Sequence, residues 1–250
     1  MKIPLKNLGI VTVSLFISLL HLSFGSKDAF YAASLSANAI NTDSAKYIAS
    51  GKSVYDSLQL DLSGLSREAF DNAKKGWEKL SAEGKLNNQS VIAIVDFTQP
   101  STNKRLYVLD MENYKVLFNT LVAHGKNSGK EWAKYFSNKL SSYKSSPGFY
   151  ITGQTYSGSN GYSLKLSGIE NGINDKAMQR AIVMHGANYV NESFIASRGY
   201  IGRSQGCPAV PLKEAKSIIN ILKDGSCLYI HVPDQNYLSR SAVLNDSTGA

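Results

Sequence analysis

Cysteine is scarce in this chain: two in 250 residues, Cys207 and Cys227. Two thiols cannot build a four-cysteine zinc site, ligate an iron–sulfur cluster or staple a miniature disulfide scaffold. Charged residues make up only 18% of the chain, too few for a solvated disordered polymer. There is no collagen-like period, no internal repeat and, beyond the N-terminus, no apolar run long enough to span a membrane. What is present, 43% hydrophobic residues, suffices for one large core.

The N-terminus carries Lys2 and Lys6, an apolar run from Leu8 to Leu20, and small residues at Ser23 and Gly25. This is the pattern of a secretory signal peptide over residues 1–25. Ser14, Ser18 and His21 weaken the alternative, an uncleaved anchor. The expectation is an exported protein of the periplasm or cell envelope, with no stable membrane span once the signal is cut. Lys and Arg number 27 against 19 Asp and Glu, a balance of +8, or 25 − 19 = +6 after loss of Lys2 and Lys6. That charge suits an anionic partner such as a wall polymer. The lysines look scattered along the chain, and no zinc-finger spacing or RNA-recognition motif accompanies them, so no nucleic-acid partner is expected.

Residues 26–65, rich in Ser, Ala and Asn, read as a lead-in, and 235–250 as a C-terminal tail. Between them, 66–234 form the expected catalytic domain. It opens on a helix from Ser66 with Phe70, Ala73, Trp77 and Leu80 on one face and Gly84 as the stop. Strands are expected over Val91–Phe97, Arg105–Asp110, Val116–Ala123, Gly148–Tyr156, Tyr162–Ser167 and Cys227–Val232, and a helix over Pro211–Asp224. The class is mainly β with a few flanking helices.

Nucleophilic cysteine chemistry needs a thiol, a nearby base and backbone donors for an oxyanion. The run Gly202-Arg-Ser-Gln-Gly-Cys207-Pro208 offers a tight turn at Gly206 and a stiffened step at Pro208. Of the four histidines, His21 leaves with the signal. His231 shares a strand face with Cys227 at roughly 13 Å, too far for proton transfer. His185 and His124 each follow an apolar strand and precede a glycine. On residues alone, a Cys207–Cys227 disulfide and a purely structural histidine stay open.

The segments Ile182-Val-Met-His185-Gly-Ala-Asn-Tyr189 and Gly202-Arg-Ser-Gln-Gly-Cys207-Pro-Ala-Val210 resemble the signature of YkuD-like L,D-transpeptidases, most closely the murein L,D-transpeptidase catalytic-domain branch. The resemblance runs from about Tyr55 to Val232. It takes in Asp96-Phe97, Lys104-Arg-Leu106, Val122-Ala-His124-Gly-Lys-Asn-Ser-Gly129, Phe136-Ser-Asn138, Ser145-Ser-Pro-Gly-Phe-Tyr150 and Ser167-Gly-Ile-Glu170.

The resemblance implies a β-sheet or sandwich domain in which Cys207 is the nucleophile and His185 the base. Gly206 and Gln205 would surround the oxyanion, and Ser204 or a backbone carbonyl would orient His185. His124, Arg203 and Tyr156 would line the substrate groove. The implied partner is a peptidoglycan stem peptide, with no cofactor and no metal. The implied reaction is acyl transfer to an amine, or carboxypeptidase hydrolysis if water accepts. A noncatalytic wall-binding module and a general cysteine peptidase are the other classes. The broader superfamily has His before the Gly-Cys pair and Arg two places after the Cys. Here Gln205 and Ala209 stand there, leaving Arg203 or Arg198 to supply the missing charge.

Overall fold

A computed structural model of the chain describes residues 53–245. The signal-like segment and most of the lead-in lie outside the described residues. In chain order the elements are α1 (Val54–Ser57), α2 (Arg67–Ala82), β1 (Val91–Asp96), β2 (Leu106–Asp110), β3 (Lys115–Thr120), β4 (Gly148–Gly158) and β5 (Gly161–Gly168). There follow β6 (Val183–Ala187), α3 (Glu192–Arg198), β7 (Ala209–Pro211), α4 (Leu212–Leu222), β8 (Cys227–His231) and α5 (Gln235–Arg240).

The strands form one sheet in the order β3-β2-β1-β8-β4-β5-β6-β7. Pairing is antiparallel except between β1 and β8 and between β6 and β7. The end strands are brought together by an antiparallel bridge from Ala123, just past β3, to Ala209 of β7. The Ala123 N–H donates to the Ala209 carbonyl at 2.8 Å. The sheet is thereby nearly closed, which satisfies backbone groups that an open edge would leave unpaired. The expected strands are present with shifted ends: β3 stops at Thr120 while residues 121–123 turn away to make this closure, β4 runs on to Gly158, and His185, expected after an apolar strand, lies inside β6.

β1 and β8 are buried along their whole lengths, as continuous apolar strands between covered faces should be. Helix α2 covers them. The Ser66 hydroxyl accepts from the Ala69 N–H at its start, with Glu68 in the first turn and Lys79 in the last, complementing the helix dipole. The expected inward face holds, with one correction: Gly76, not Trp77, makes the closest approach to the sheet. A Cβ at position 76 would stand 2.1 Å from Cζ of Phe149, while Trp77 turns its indole N–H to the Gln89 carbonyl at 3.0 Å.

Phe149 cannot yield easily, because it is fully buried and stacked on Tyr229 with ring centroids 4.3 Å apart. Alanine at 76 gains about 1 kcal/mol of helix propensity, but overpacking costs about 1–3 kcal/mol. Gly76→Ala is therefore expected to destabilise by about 1 kcal/mol or more, read as a lower urea midpoint at unchanged slope. A raised midpoint would refute the tight contact.

Both flanks of the expected domain extend further than their composition suggests. Within the lead-in, Leu60 and Leu65 are fully buried, and the Tyr55 hydroxyl donates to the Leu65 carbonyl. Within the tail, α5 buries Tyr237, and Val243 and Leu244 follow it into the core. The buried Glu170 carboxylate holds this end, accepting from the Phe149 N–H at 2.7 Å and from the Tyr237 and Ser241 hydroxyls. Burial pushes its pKa up against those three donors.

Candidate active site

Helix α4 lies across β6. A Cβ at Gly186 would meet Ala215 Cβ at 2.8 Å and Leu212 Cδ1 at 2.9 Å, so the Gly186 face is filled by that helix. Alternation along a strand then sends His185 to the opposite face, away from α4. β6 and β7 run parallel with His185 paired to Ala209, two residues beyond Cys207. One strand across and two residues back puts the two Cα atoms roughly 8 Å apart. The Cys207 Sγ lies 3.7 Å from the Ala181 carbonyl, and the backbone of Val183 helps hold the thiol pKa down. The sulfur therefore sits against the start of the strand whose next residue on that face is His185.

The turn that delivers Cys207 is set by Gly206, whose φ of +124° suits glycine alone. A Cβ there would stand 2.8 Å from the Lys144 carbonyl and 3.2 Å from Arg180 Nη2. The Ser204 N–H donates to the His124 carbonyl, and the Lys126 N–H donates to the Ser204 carbonyl. Ser145 ties the turn from below, accepting from the Gly125 N–H and donating to the Gly206 carbonyl.

His185 is mostly buried, and its Nδ1 lies 3.0 Å from the Gly186 carbonyl. A carbonyl only accepts, so Nδ1 carries the proton and Nε2 keeps its lone pair. Burial holds the imidazole pKa below its ordinary value, partly opposed by that carbonyl. Cys207 retains 8% exposure and is a free thiol, as is the fully buried Cys227. Burial pushes the Cys207 thiol up, while the Val183 N–H, the Arg180 guanidinium and its own N–H pull it down. Thiol and imidazole both rest neutral, an arrangement for general-base activation in which the proton leaves sulfur as the bond to carbon forms.

Three expected roles need correction. Ser204 does not orient the imidazole: its hydroxyl donates to the Cys207 carbonyl at 2.6 Å and accepts from the Gly206 N–H at 3.0 Å. The Gly186 carbonyl takes that role, and the Gly206 N–H is already spoken for. His124 lines no groove. It is fully buried, with Nδ1 2.7 Å from Arg105 Nη2 and Nε2 3.3 Å from the Gly129 carbonyl. Arg203 does not face the thiol: its Nη1 donates to the Lys126 and Gly129 carbonyls, and its guanidinium lies over Tyr200. Arg198 stacks on Phe194.

The positive charge near Cys207 is Arg180, which sequence reasoning did not single out. It donates to the Ser137 and Lys144 carbonyls and to the Ser142 and Ser146 hydroxyls. Its signal was available only as an arginine five residues before the His-Gly pair.

Two grooves are lined by residues next to the Cys207 turn or in contact with it. Tyr156, Lys165, Leu166, Met178 and Ala181–Val183 line a mostly apolar one of about 190 Å³. Leu140, Ser141, Tyr143, Gln179, Arg180 and Gln205 line a polar one of about 230 Å³. Tyr156 lines the first of these grooves, and Gln205, expected at the oxyanion, lines the second. The turn 178–183 separates the grooves, and Ala181 at its middle touches the thiol. No cluster of three metal-ligating side chains exists among the described residues.

Acid is expected to act on activity and on stability separately. A general base at His185 would have to be neutral, and burial holds its pKa below 6.5, so the acid limb of kcat/KM is expected below pH 6.5 with a flat rate through neutrality. An acid limb above pH 6.5 would contradict a desolvated base. For stability, His124 falls from 6.5 to about 3 on folding, through burial and then through Arg105 beside it. A depressed folded pKa means stability that is full above pH 6.5 and drains as the pH drops toward 3. The total is on the order of 5 kcal/mol, at 1.36 kcal/mol per unit. Urea midpoints measured from pH 8 to 4 should fall steeply, and His124→Gln should flatten that slope.

The profile of the L,D-transpeptidase catalytic domain matches residues 61–231, a span that contains Arg180, His185 and Cys207. No curated protein matches the chain. Among solved structures, an L,D-transpeptidase from Mycobacterium smegmatis is 12% identical with TM-score 0.37, over 57% of this chain and 59% of that one. An L,D-transpeptidase (Yku) from Stackebrandtia nassauensis is 16% identical with TM-score 0.34, over 66% of each chain. The helical cell shape determining protein Pgp2 from Campylobacter jejuni is 15% identical with TM-score 0.37, over 58% and 49%. The chain thus spans under two thirds of these proteins' lengths. With 61–231 matched, more than half of its residues, the chain belongs to the L,D-transpeptidase catalytic-domain family.

Proposed function

We propose that this protein is an exported peptidoglycan L,D-transpeptidase with Cys207 as its nucleophile. One observation carries the reading: a free thiol packs against the start of β6, the strand that carries on the same face a histidine whose Nδ1 is held by a carbonyl and whose Nε2 keeps its lone pair. The sulfur attacks the carbonyl between the third stem residue and its terminal D-alanine while His185 Nε2 takes the thiol proton. Collapse of the tetrahedral adduct breaks the C–N bond, and the imidazolium returns the proton to the departing D-alanine amine. A thioester remains on Cys207.

An amine of a second stem peptide then attacks the thioester and gives its proton to His185. The C–S bond breaks, His185 reprotonates the thiolate, and an amide joins two third-position residues. The N–H groups of Cys207 and Val183, both of which favour the thiolate, serve as donors for the developing negative charge, and Gln205 stands at the rim. An oxyanion donor is worth about 3 kcal/mol. The mostly apolar lining of one groove favours transfer, because it limits water at the thioester.

The test incubates the full chain and its Cys207→Ala variant with tetrapeptide-bearing muropeptides and follows products by mass spectrometry. Dimers together with released D-alanine support transfer. Release of D-alanine without dimers means that water is the acceptor and the enzyme is an L,D-carboxypeptidase. Intact substrate with the unmodified chain, or cleavage of ordinary L-peptides, defeats the reading.

A further inference from the structure

The segment 126–144 carries Lys126, Lys130, Lys134, Lys139 and Lys144 against one acid, Glu131. That is 5 − 1 = +4, half of the chain's formal +8 in nineteen residues, so the charge is massed here and not scattered. Trp132, Tyr135, Leu140 and Tyr143, four of the eight large hydrophobics exposed among the described residues, lie on the same segment. Cations and rings alternate in one row: Lys126 Nζ sits 4.0 Å from the Tyr143 ring centroid, and Lys144 Nζ sits 5.6 Å from that of Tyr135. Tyr135 is 61% exposed.

This surface is held in shape from inside. Ser141 and Tyr143 both adopt φ of +53°, uncommon outside glycine. Asn127 donates to the Ser142 and Tyr143 carbonyls, and Arg180 donates to that of Lys144. Backbone held this way at an exposed loop, with its rings turned to solvent, marks a contact surface better than a merely soluble one. The row is continuous with the site, since Tyr143 also lines the groove shared by Arg180 and Gln205.

We propose that 126–144 is a docking platform for the glycan strand of peptidoglycan, alongside the strand's reacting stem peptide. This rests on the function proposed above. Pyranose rings present C–H faces that stack on tyrosine and tryptophan, and the free carboxylates of the stem peptides that hang from the strand pair with the lysines. A purely apolar partner leaves five lysines without a role, and a purely anionic one leaves the exposed rings without a role. The continuity with the thiol groove favours the polymer that carries the stem peptide over a single-stranded nucleic acid, which shares the same chemistry of rings and cations.

The test is co-sedimentation of the full chain, made inert by Cys207→Ala, with sacculi stripped of covalently attached anionic polymers. Tyr135→Ala and the triple change Lys130→Ala, Lys134→Ala, Lys139→Ala should each weaken binding about fivefold or more without moving the melting temperature. A neutral N-acetylglucosamine oligomer should compete with sacculi for the inert full chain, and should lose that competition once Tyr135→Ala is added. In the Cys207-intact protein, turnover of a short soluble tetrapeptide should stay within twofold. Unchanged sedimentation of both variants overturns the proposal, as does equal loss on soluble tetrapeptide or tighter binding to a single-stranded oligonucleotide than to sacculi. If the unmodified chain sediments through Tyr135 but turns over no tetrapeptide, the docking surface stands and the proposed chemistry falls.

Discussion

Cys207→Ala is expected to lower tetrapeptide turnover by at least 10³-fold while leaving the fold in place. The residue buries little volume, and its backbone is fixed by neighbours independent of the sulfur: the Ser204 hydroxyl on its carbonyl and Ser145 on the Gly206 carbonyl. Without sulfur there is no thioester, and the remaining groups can only position substrate and polarise its carbonyl. His185→Ala should follow closely, at about 10²–10⁴-fold, the usual worth of a general base. Melting temperatures near that of the unmodified chain, with turnover lost, are the supporting result. Retained turnover in Cys207→Ala would remove the sulfur from the mechanism altogether.

The next largest effect belongs to Arg180→Ala. The guanidinium joins the 137–146 segment to the turn 178–183 through four oxygens, and its charge favours the Cys207 thiolate. Truncation strips the Ser137 and Lys144 carbonyls of a charged donor, at about 2–3 kcal/mol of stability. It also leaves burial less opposed at the thiol, whose pKa therefore rises. Turnover should fall about 10- to 100-fold. The discriminating readout is the pH dependence of Cys207 alkylation, which a merely structural role does not move. Its midpoint should shift upward in Arg180→Ala and return partway in Arg180→Lys, which restores the charge but not the fork of hydrogen bonds. An unmoved alkylation profile would reduce Arg180 to a structural tie.

Several residues read one way along the chain and another in the fold. Trp77 falls at the right spacing for the packed face of α2 and does pack against the core, but only partly buried, because Phe149 meets the helix most closely at Gly76 beside it. Leu60 and Leu65 sit in a stretch whose Ser, Ala and Asn content suggests a tether, and both are fully buried. His124 and His185 look alike, each after an apolar strand and before a glycine. One is sealed against Arg105, and the other keeps a free ring nitrogen beside the nucleophile's groove. Ser204 stands three residues from Cys207 and spends its hydroxyl on the turn's own backbone.

The chain alone determined its β character, its two covering helices and the turn bearing its one accessible thiol. Alternation, capping residues and a glycine–cysteine–proline run are local, and local physics fixes them. Only the tertiary structure decided which histidine keeps a free ring nitrogen on the sulfur's face of the sheet, which arginine stands near the sulfur and how the sheet closes on itself. Those choices are contacts between segments tens of residues apart, as when Arg180 reaches 137–146 and Ala123 meets Ala209. A pattern along the chain reports that a face is buried; the folded neighbours alone say by what.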